Sequence, residues 1–314
     1  MNFTAVTTVF NDENEIISLI KNLESQKLKP IEIIIVDGGS KDTTIQKVLE
    51  YSNKSIIKIS CYYGTRLNIS QGFNYGIKKA CTEFISIVAV GNKYSDDYFY
   101  LLAEAIVKDD LDYAFSPFYG VNSTKFASLY NMVFLNKNKG MILNIASNHG
   151  VLIKKDVIVK TGYFYENFVY AGEDLELYEK IRNYGFRGKI VLNAKVYWDT
   201  PHTFKDFCKQ VRMYTIAKMQ IYKLSNILLK NKKNNIYVIT ILFTVLFLLV
   251  KSTRVEGLIL LLAIIIYNIA KWWKYGINFI LLKNLAILLP YYYILKDHKY
   301  LAPKYKVQDN KRIK

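Results

Sequence analysis

The sequence predicts an α/β fold, a right-handed, doubly wound sheet with helices on both faces, followed by a C-terminal helical membrane hairpin. Three observations predict it. Residues 31–44 read Ile-Glu-Ile-Ile-Ile-Val-Asp-Gly-Gly-Ser-Lys-Asp-Thr-Thr, apolar without interruption from Ile33 to Val36 and then acidic and glycine-flanked. An unbroken apolar strand is what a sheet covered on both faces requires. Strand and helix patterns alternate through the first third of the chain, the signature of repeated β-α units. Three apolar runs close to the C-terminus carry almost no charge: Ile236 to Val250 none, Leu258 to Ala270 none, and Ile277 to Leu295 only Lys283.

Taken in order, strands are predicted at Thr4 to Phe10, Ile31 to Val36, Ile56 to Tyr62 and Phe84 to Val90. The intervening helices are predicted at Glu13 to Gln26, Thr43 to Ser52, Gln71 to Ala80 and Asp96 to Lys108. In such a fold the ligand crevice follows the C-terminal edge of the strands. That edge gathers Phe10-Asn11-Asp12, Asp37, Tyr62-Tyr63-Gly64 and Gly91-Asn92. Gly38 and Gly39 let a ligand approach the backbone beside Asp37. An ordinary turn explains the same residues if Ser40 or Asp42 caps the following helix, and spacing leaves both readings open. From Tyr113 to about Lys195 the pattern is less regular, with an aromatic strand at Ala114 to Tyr119 and a helix at Lys125 to Leu135. This is the expected acceptor half. His149-Gly150 either lines the acceptor pocket or begins a strand.

The domain organisation read from these patterns is a soluble unit over 1–203, an amphipathic interfacial helix and linker over 204–233, and a membrane region over 234–314. Spans are expected at about 236–252 and 255–271, joined by a Lys-Ser-Thr-Arg turn too tight for anything but a helical hairpin. The segment 277–295 is expected to lie at the interface, with Lys283, Asn278 and Asn284 on a polar face and Trp272, Trp273 and Tyr291 to Tyr293 at headgroup depth. Three full crossings are the alternative. The net charge of +17 invites a nucleic-acid reading, yet the cations sit beside the apolar runs: Lys230, Lys232 and Lys233, then Lys271 and Lys274, then the tail from Lys296 to Lys314. That placement fits membrane lipids as partners and no nucleic acid. The chain starts directly with a strand pattern, soon followed by Asp12 to Glu15, so no signal peptide is expected and the soluble unit is expected to be cytoplasmic at the cell membrane. Cys61, Cys81 and Cys208 show no pairing pattern, and His149, His202 and His298 lack zinc-ligand spacing.

Residues 172–185 read Gly-Glu-Asp-Leu-Glu-Leu-Tyr-Glu-Lys-Ile-Arg-Asn-Tyr-Gly, a helix with Glu173 and Asp174 in its first turn and Gly185 at its end. First-turn carboxylates complement a helix dipole without any function. In combination, however, the motifs form a resemblance. Val-Thr-Thr-Val-Phe-Asn-Asp-Glu (6–13), Ile-Val-Asp-Gly-Gly-Ser-Lys-Asp-Thr (35–43), Asn74-Tyr-Gly-Ile-Lys-Lys-Ala, and Gly-Glu-Asp with a helix ending Asn-Tyr-Gly match in order and spacing. The chain resembles, over roughly residues 3–215, the inverting family-2 glycosyltransferases of GT-A fold, in particular membrane-anchored members.

The resemblance implies a Rossmann-like mixed sheet and transfer of a sugar, with inversion, from a nucleotide-sugar donor to a lipid-linked or cell-surface glycan acceptor. It implies that Asp174, beside Glu173, is the general base. Asp37 and Gly38 would hold the nucleotide, the loop Phe10, Asn11 and Glu13 would line its pocket, and Arg66, Asn74 and Asn92 would lie near the sugar diphosphate. Gln210, Arg212 and Tyr214, on the segment from Phe204, would approach the diphosphate or acceptor, although an interfacial helix explains them equally. A Mn2+ or Mg2+ ion is also implied, held by an Asp-x-Asp after the fourth strand. Here the acidic positions fall on Ala89, Gly91 and Asn92. Three outcomes stay open: a metal bound through Asn92 with His202 or Asp199, metal-free neutralisation by Lys93 or Arg66, or a catalytically degenerate protein that binds a nucleotide sugar as partner of an active transferase.

Overall fold

The computed structural model describes residues 1–135, 146–168, 171–222 and 232–300. The seven-stranded main sheet has the order β3-β2-β1-β4-β8-β6-β9, built from Phe3–Val9 (β1), Glu32–Asp37 (β2), Lys58–Tyr62 (β3), Phe84–Ile87 (β4), Tyr113–Phe115 (β6), Val151–Lys154 (β8) and Gly188–Ile190 (β9). Strands β3, β2, β1 and β4 run parallel, as the β-α alternation predicts. Strand β8 is antiparallel to both β4 and β6, which makes the sheet mixed. Its two faces carry separate apolar layers, one around Phe3, Ile20 and Leu102, the other around Val6, Phe73 and Ile181.

Helices follow from local chemistry. In α1 (Ile16–Glu24), Ile16, Leu19, Ile20 and Leu23 fall on one face and are buried. Helix α2 (Thr44–Ser52) follows the acidic turn. Helix α3 (Ile69–Lys79) starts at a capping box: Gln71 N–H donates to Asn68 Oδ1 at 2.9 Å, and Asn68 N–H donates to Gln71 Oε1 at 3.0 Å. It then lies very close to the sheet, because a Cβ on Gly76 would stand 2.6 Å from Val6 Cγ1. Helices α4 (Tyr98–Asp109), α5 (Lys125–Phe134), α6 (Lys155–Lys160) and α7 (Glu173–Asn183) complete the soluble unit.

Two predicted strands are broken, each at a residue that interrupts it and before a segment that pairs with a strand at Val196–Trp198. The fourth ends at Ile87, not Val90; Gly91 adopts φ +82° and a new strand, β5 (Asn92–Tyr94), begins. The aromatic strand divides at Ser116-Pro117 into β6 and β7 (Phe118–Gly120), since proline offers no ladder donor. Strands β5 and β7 flank β10 (Val196–Trp198) in a second sheet of order β5-β10-β7, with Asn92 opposite Trp198.

Beyond β10, α8 (Phe204–Ile221) leads toward α9 (Lys232–Leu249), α10 (Arg254–Trp272) and α11 (Ile277–Lys296). The linker over 223–231 and the basic tail over 301–314 lie outside the described residues. Among those described, α10 and α11 are long and apolar enough to cross a membrane, and the apolar part of α9, Asn234–Leu249, is shorter. By length alone α10 and α11 stand out, while α11, the segment expected to be interfacial, is also held against the soluble unit through Lys283 and Asp297. The polar residues expected on a solvated face of α11 also find protein partners: Asn284 Nδ2 donates to Asn268 Oδ1 at 3.0 Å, and Lys283 Nζ donates to the Val133 carbonyl at 3.4 Å. Asn278 is exposed.

Because α3 rests on β1 through a glycine, Gly76→Ala should cost about 1–3 kcal/mol by overpacking. Thermal unfolding of the full chain in detergent checks this. An unchanged midpoint would mean that the helix does not approach the strand this closely.

Candidate active site

Two cavities matter for the site, one at the C-terminal edge of β2 and β3 and one between the small sheet, α7, α8 and α11. The first, about 260 Å³, is lined by Asp37 with Tyr62, Tyr63, Leu67 and Tyr75. The pairing of Val9 with Asp37 brings Phe10 beside Gly38. Gly38 has no room for a side chain, since a Cβ would stand 3.0 Å from the Leu67 carbonyl oxygen. Asp37 is buried and accepts hydrogen bonds from Ser40 N–H at 3.0 Å and Ser40 Oγ–H at 2.6 Å. Cys61 beside it has its thiol pushed up to about 11 by burial and by the Asp37 charge, so it is an inert lining residue.

The loop after β1 is tied to the turn after β2. Asn11, at φ +56°, takes Lys41 N–H on its Oδ1 at 2.9 Å and donates its own N–H to Ser40 Oγ at 2.9 Å. Glu13 accepts the Thr43 N–H at 3.1 Å, and those Thr43 hydrogen bonds hold its carboxyl below the usual range. Asp42 accepts the Thr44 N–H at 3.0 Å. The N-cap of α2 is Thr43, without a side-chain cap, so Asp42 closes a local turn ahead of the helix, while Asn11 and Glu13 brace the turn after β2. Phe10 stays exposed at the rim. Arg66 is exposed, its backbone and Cβ close to Gly39. Asn74 is buried, with Nδ2 donating to the Phe164 carbonyl and Glu166 Oε1, each at 2.8 Å, and Oδ1 accepting Phe164 N–H at 2.9 Å. Both amide atoms of Asn74 are engaged by protein, so it braces the 164–166 segment at the place expected to lie near the sugar diphosphate.

The second cavity, about 510 Å³, contains Asp174 together with His149, Trp198, Gln210, Tyr214 and Lys218. Asp174 takes the Leu175 N–H on Oδ1 at 2.7 Å; burial raises its pKa, and hydrogen bonds from the backbone of Leu175 and Asn148 pull the other way. Glu173 is buried, accepts Asn148 Nδ2–H at 3.3 Å through Oε1, and has no hydrogen-bond partner for Oε2 among the described residues. Burial first, and then the Asp174 charge, push its pKa to about 8. Both carboxyls are therefore pushed toward the protonated form, Glu173 to about 8 and Asp174 in the same direction.

The place of the missing carboxylates is filled by a closed polar contact. Asn92 Nδ2 donates to the His149 carbonyl at 3.1 Å, and His149 Nδ1 lies 3.3 Å from Asn92 Oδ1. The His149 ring is held between Phe118 and Trp198, with centroids 4.4 and 5.0 Å away, and burial pushes its pKa down to about 4. A neutral ring facing an amide oxygen carries its proton on Nδ1. Asn92 thus has its one oxygen engaged. His202 stands elsewhere, with Nε2 2.8 Å from Asp199 Oδ1 and 3.0 Å from Ser123 Oγ. No group of three or more His, Cys, Asp or Glu side chains able to hold a metal occurs among the described residues. The residues present do not fit a hard divalent cation.

On α8, Gln210 lines the second cavity and accepts Tyr130 Oη–H at 2.8 Å. Arg212 points away, making a two-point ion pair with Asp297 at 2.7 and 2.8 Å, so it clamps α8 to the end of α11. Phe118, Trp198 and the α11 side chains were not marked as site residues by the sequence reading; the dense aromatic spacing around His149 was the available signal.

A family model described as glycosyl transferase family 2 matches residues 4–162. A poly-beta-1,6-N-acetyl-D-glucosamine synthase of Staphylococcus aureus is 23% identical over 220 residues, covering 66% of this chain and 52% of that protein. The poly(ribitol-phosphate) beta-N-acetylglucosaminyltransferase TarS of the same species is 31% identical over 100 residues, 31% of this chain and 17% of that one. The chain thus spans about half the length of the synthase, and much less of TarS. Among solved structures, S. aureus TarS 1-349 in complex with UDP-GlcNAc aligns with a TM-score of 0.52 at 20% identity, over 70% of this chain and 67% of that one. The mannosyltransferase PcManGT from Pyrobaculum calidifontis, in complex with GDP-Man and Mn2+, aligns with a TM-score of 0.55 at 15% identity, over 69% of this chain and 62% of that one. At these identities the structural likeness establishes the fold.

The raised Glu173 pKa has a stability consequence with a definite sign. A carboxyl lifted from 4.5 to about 8 adds stability below its unfolded pKa and loses it as pH rises toward about 8. Glu173→Gln should therefore flatten the fall in melting temperature between pH 5 and pH 8, and at pH 8 the variant should melt several degrees above the parent. Parallel curves for the two proteins would show that Glu173 does not titrate in that window.

Proposed function

This chain belongs to glycosyl transferase family 2, and on that premise we propose that it is a membrane-bound transferase. It moves one sugar, with inversion, from a nucleotide-sugar donor to a lipid-linked or cell-surface glycan acceptor at the cytoplasmic leaflet. The observation that carries this reading is Asp174, a carboxyl whose pKa is raised by burial, lining a cavity beside buried Glu173. A raised pKa makes a carboxylate a better base at neutral pH.

The Asp37 cavity suits the nucleotide. Its carboxylate keeps lone pairs for an N–H of the base, and Tyr62, Tyr63 and exposed Phe10 offer apolar faces to a ring. The TarS complex with UDP-GlcNAc supports a UDP-sugar as the first donor to try. In the reaction, Asp174 takes the proton of the acceptor hydroxyl as that oxygen bonds to the anomeric carbon. The bond from that carbon to the diphosphate oxygen breaks on the opposite face, and the nucleoside diphosphate leaves. Charge gathers on the leaving oxygens, and a cation near them lowers the barrier. Arg66, whose Cα and Cβ lie by the Asp37 turn, and Lys93, exposed on β5, are the two cations weighed for this role.

The absence of carboxylates at Ala89, Gly91 and Asn92 favours a second reading, a degenerate binding protein that partners an active transferase.

Nucleotide release from UDP-, GDP- and dTDP-sugars by the full chain, with acceptor-containing membranes present, separates the two. Asp174→Asn should lower release by about 100-fold or more while nucleotide affinity stays within about twofold. Release unaffected by that change removes Asp174 as the base. Tight nucleotide binding without release under every condition selects the degenerate reading. With the Asn92 oxygen engaged by His149, a chelator should lower release by less than about tenfold; complete loss would restore a metal to the site.

A further inference from the structure

The His149 ring has one nitrogen paired and one open. Asn92 Nδ2 donates to the His149 carbonyl at 3.1 Å, and that bond fixes which end of the amide faces the ring. With Asn92 Oδ1 lying 3.3 Å from Nδ1, the proton sits on Nδ1 and Nε2 is left as a bare lone pair. Phe118 and Trp198 pack against the ring, so its orientation is set by its neighbours. Among the described residues Nε2 has no hydrogen-bond partner, and the ring lines the Asp174 cavity. An acceptor in so enclosed a place costs free energy until a donor reaches it.

We propose that His149 determines specificity for the transferred sugar, its Nε2 accepting a hydrogen bond from one hydroxyl of that sugar. The inference rests on the transferase reading above and deepens it. Inversion puts the diphosphate on one face of the anomeric carbon and the attacking oxygen, with Asp174, on the other. The transferred sugar therefore lies between the diphosphate and Asp174. His149 bridges the same interval: its side chain is tied to Asn92, expected near the diphosphate, and Asn148, one residue earlier, donates to Glu173 beside Asp174. The chemistry is selective because a bare ring nitrogen accepts and cannot donate. It favours a sugar with a hydroxyl at that place over one with hydrogen or an ether oxygen there. Asn92 gains a role in this arrangement, since its amide holds the tautomer on which the selection depends.

The test uses the full chain in nanodiscs and whichever UDP-, GDP- or dTDP-sugar it binds most tightly, together with analogues lacking one sugar hydroxyl at a time; affinities are read by titration calorimetry. In the parent, one analogue should bind about tenfold more weakly than the intact donor. In His149→Phe, which keeps a ring between Phe118 and Trp198, the intact donor should fall to the affinity of that analogue and the two should no longer differ. A residue that merely shapes the fold would weaken both ligands and leave their ratio unchanged. Binding of the bare nucleoside diphosphate within about twofold of the parent shows that the variant is folded; where it does not bind, His149→Met takes its place, with the same loss of discrimination expected. A parent indifferent to every hydroxyl, or a variant that keeps the parental ratio, overturns the inference. Nucleotide release is read separately: discrimination that depends on His149 without release from any donor keeps the sugar contact and removes the transferase, whereas release without such discrimination does the reverse.

Discussion

The site depends on how closely the first turn of α7 approaches α8. Gly172 precedes that turn at φ +107°, and a Cβ on it would stand 2.9 Å from Ala217 Cβ and 3.1 Å from Ile221 Cδ1. Only a residue without a side chain fits there without strain. Two residues later the chain delivers Asp174, so this contact sets the depth of the carboxylate. It also gives α8 two jobs. Gln210, Tyr214 and Lys218, four residues apart, line the Asp174 cavity. Arg212 faces another way and holds Asp297.

Depth in turn governs the chemistry of the acidic pair. Two adjacent carboxylates in water would both ionise near pH 4. Out of water each opposes the other's charge, and Glu173, the more buried, yields. Asn148 bridges the arrangement, donating to Glu173 and accepting from Tyr178 Oη–H at 3.3 Å. The next residue, His149, is neutral for the same reason of burial, and the segment 148–149 therefore joins the acid pair to Asn92. The segment just before β8 thus ties the turn before α7 to β5.

Much of this was legible in residue order. The unbroken run Ile33 to Val36, the alternation of elements and the Gly-Glu-Asp turn predict the parallel half of the sheet and both acidic positions, because local burial pattern and turn chemistry are written in adjacent residues. The breaks at Gly91 and Pro117 were less legible: both lie inside apolar stretches, and what ends each strand is a partner strand, β10, far along the chain. The roles of Asn74 and Arg212 were illegible for the same reason. Their partners, Phe164 and Asp297, are distant in sequence and nothing local announces them. Lys283 and Asn284 look like a wet face in the sequence because their partners, Val133 and Asn268, lie on other helices.

Those partners tie the three C-terminal helices to one another. Asn268 Nδ2 donates to Tyr237 Oη at 2.9 Å, Tyr237 Oη–H donates to Asn284 Oδ1, and Asn284 Nδ2 returns to Asn268 Oδ1, closing a ring across α9, α10 and α11. Amide and hydroxyl groups in apolar surroundings cost free energy unless paired, so the ring favours one arrangement of the three helices. Helix α11 is then fastened to the soluble unit at two further points, Lys283 on the α5 carbonyl of Val133 and Asp297 on Arg212, with Phe279 and Leu282 packed against Tyr130 and Phe207 between them. A helix fixed to both bodies is not a tether. It sets the width of the cavity in which Asp174 sits, and a change in the helical bundle would reach the candidate base through packing without altering any residue of the soluble unit.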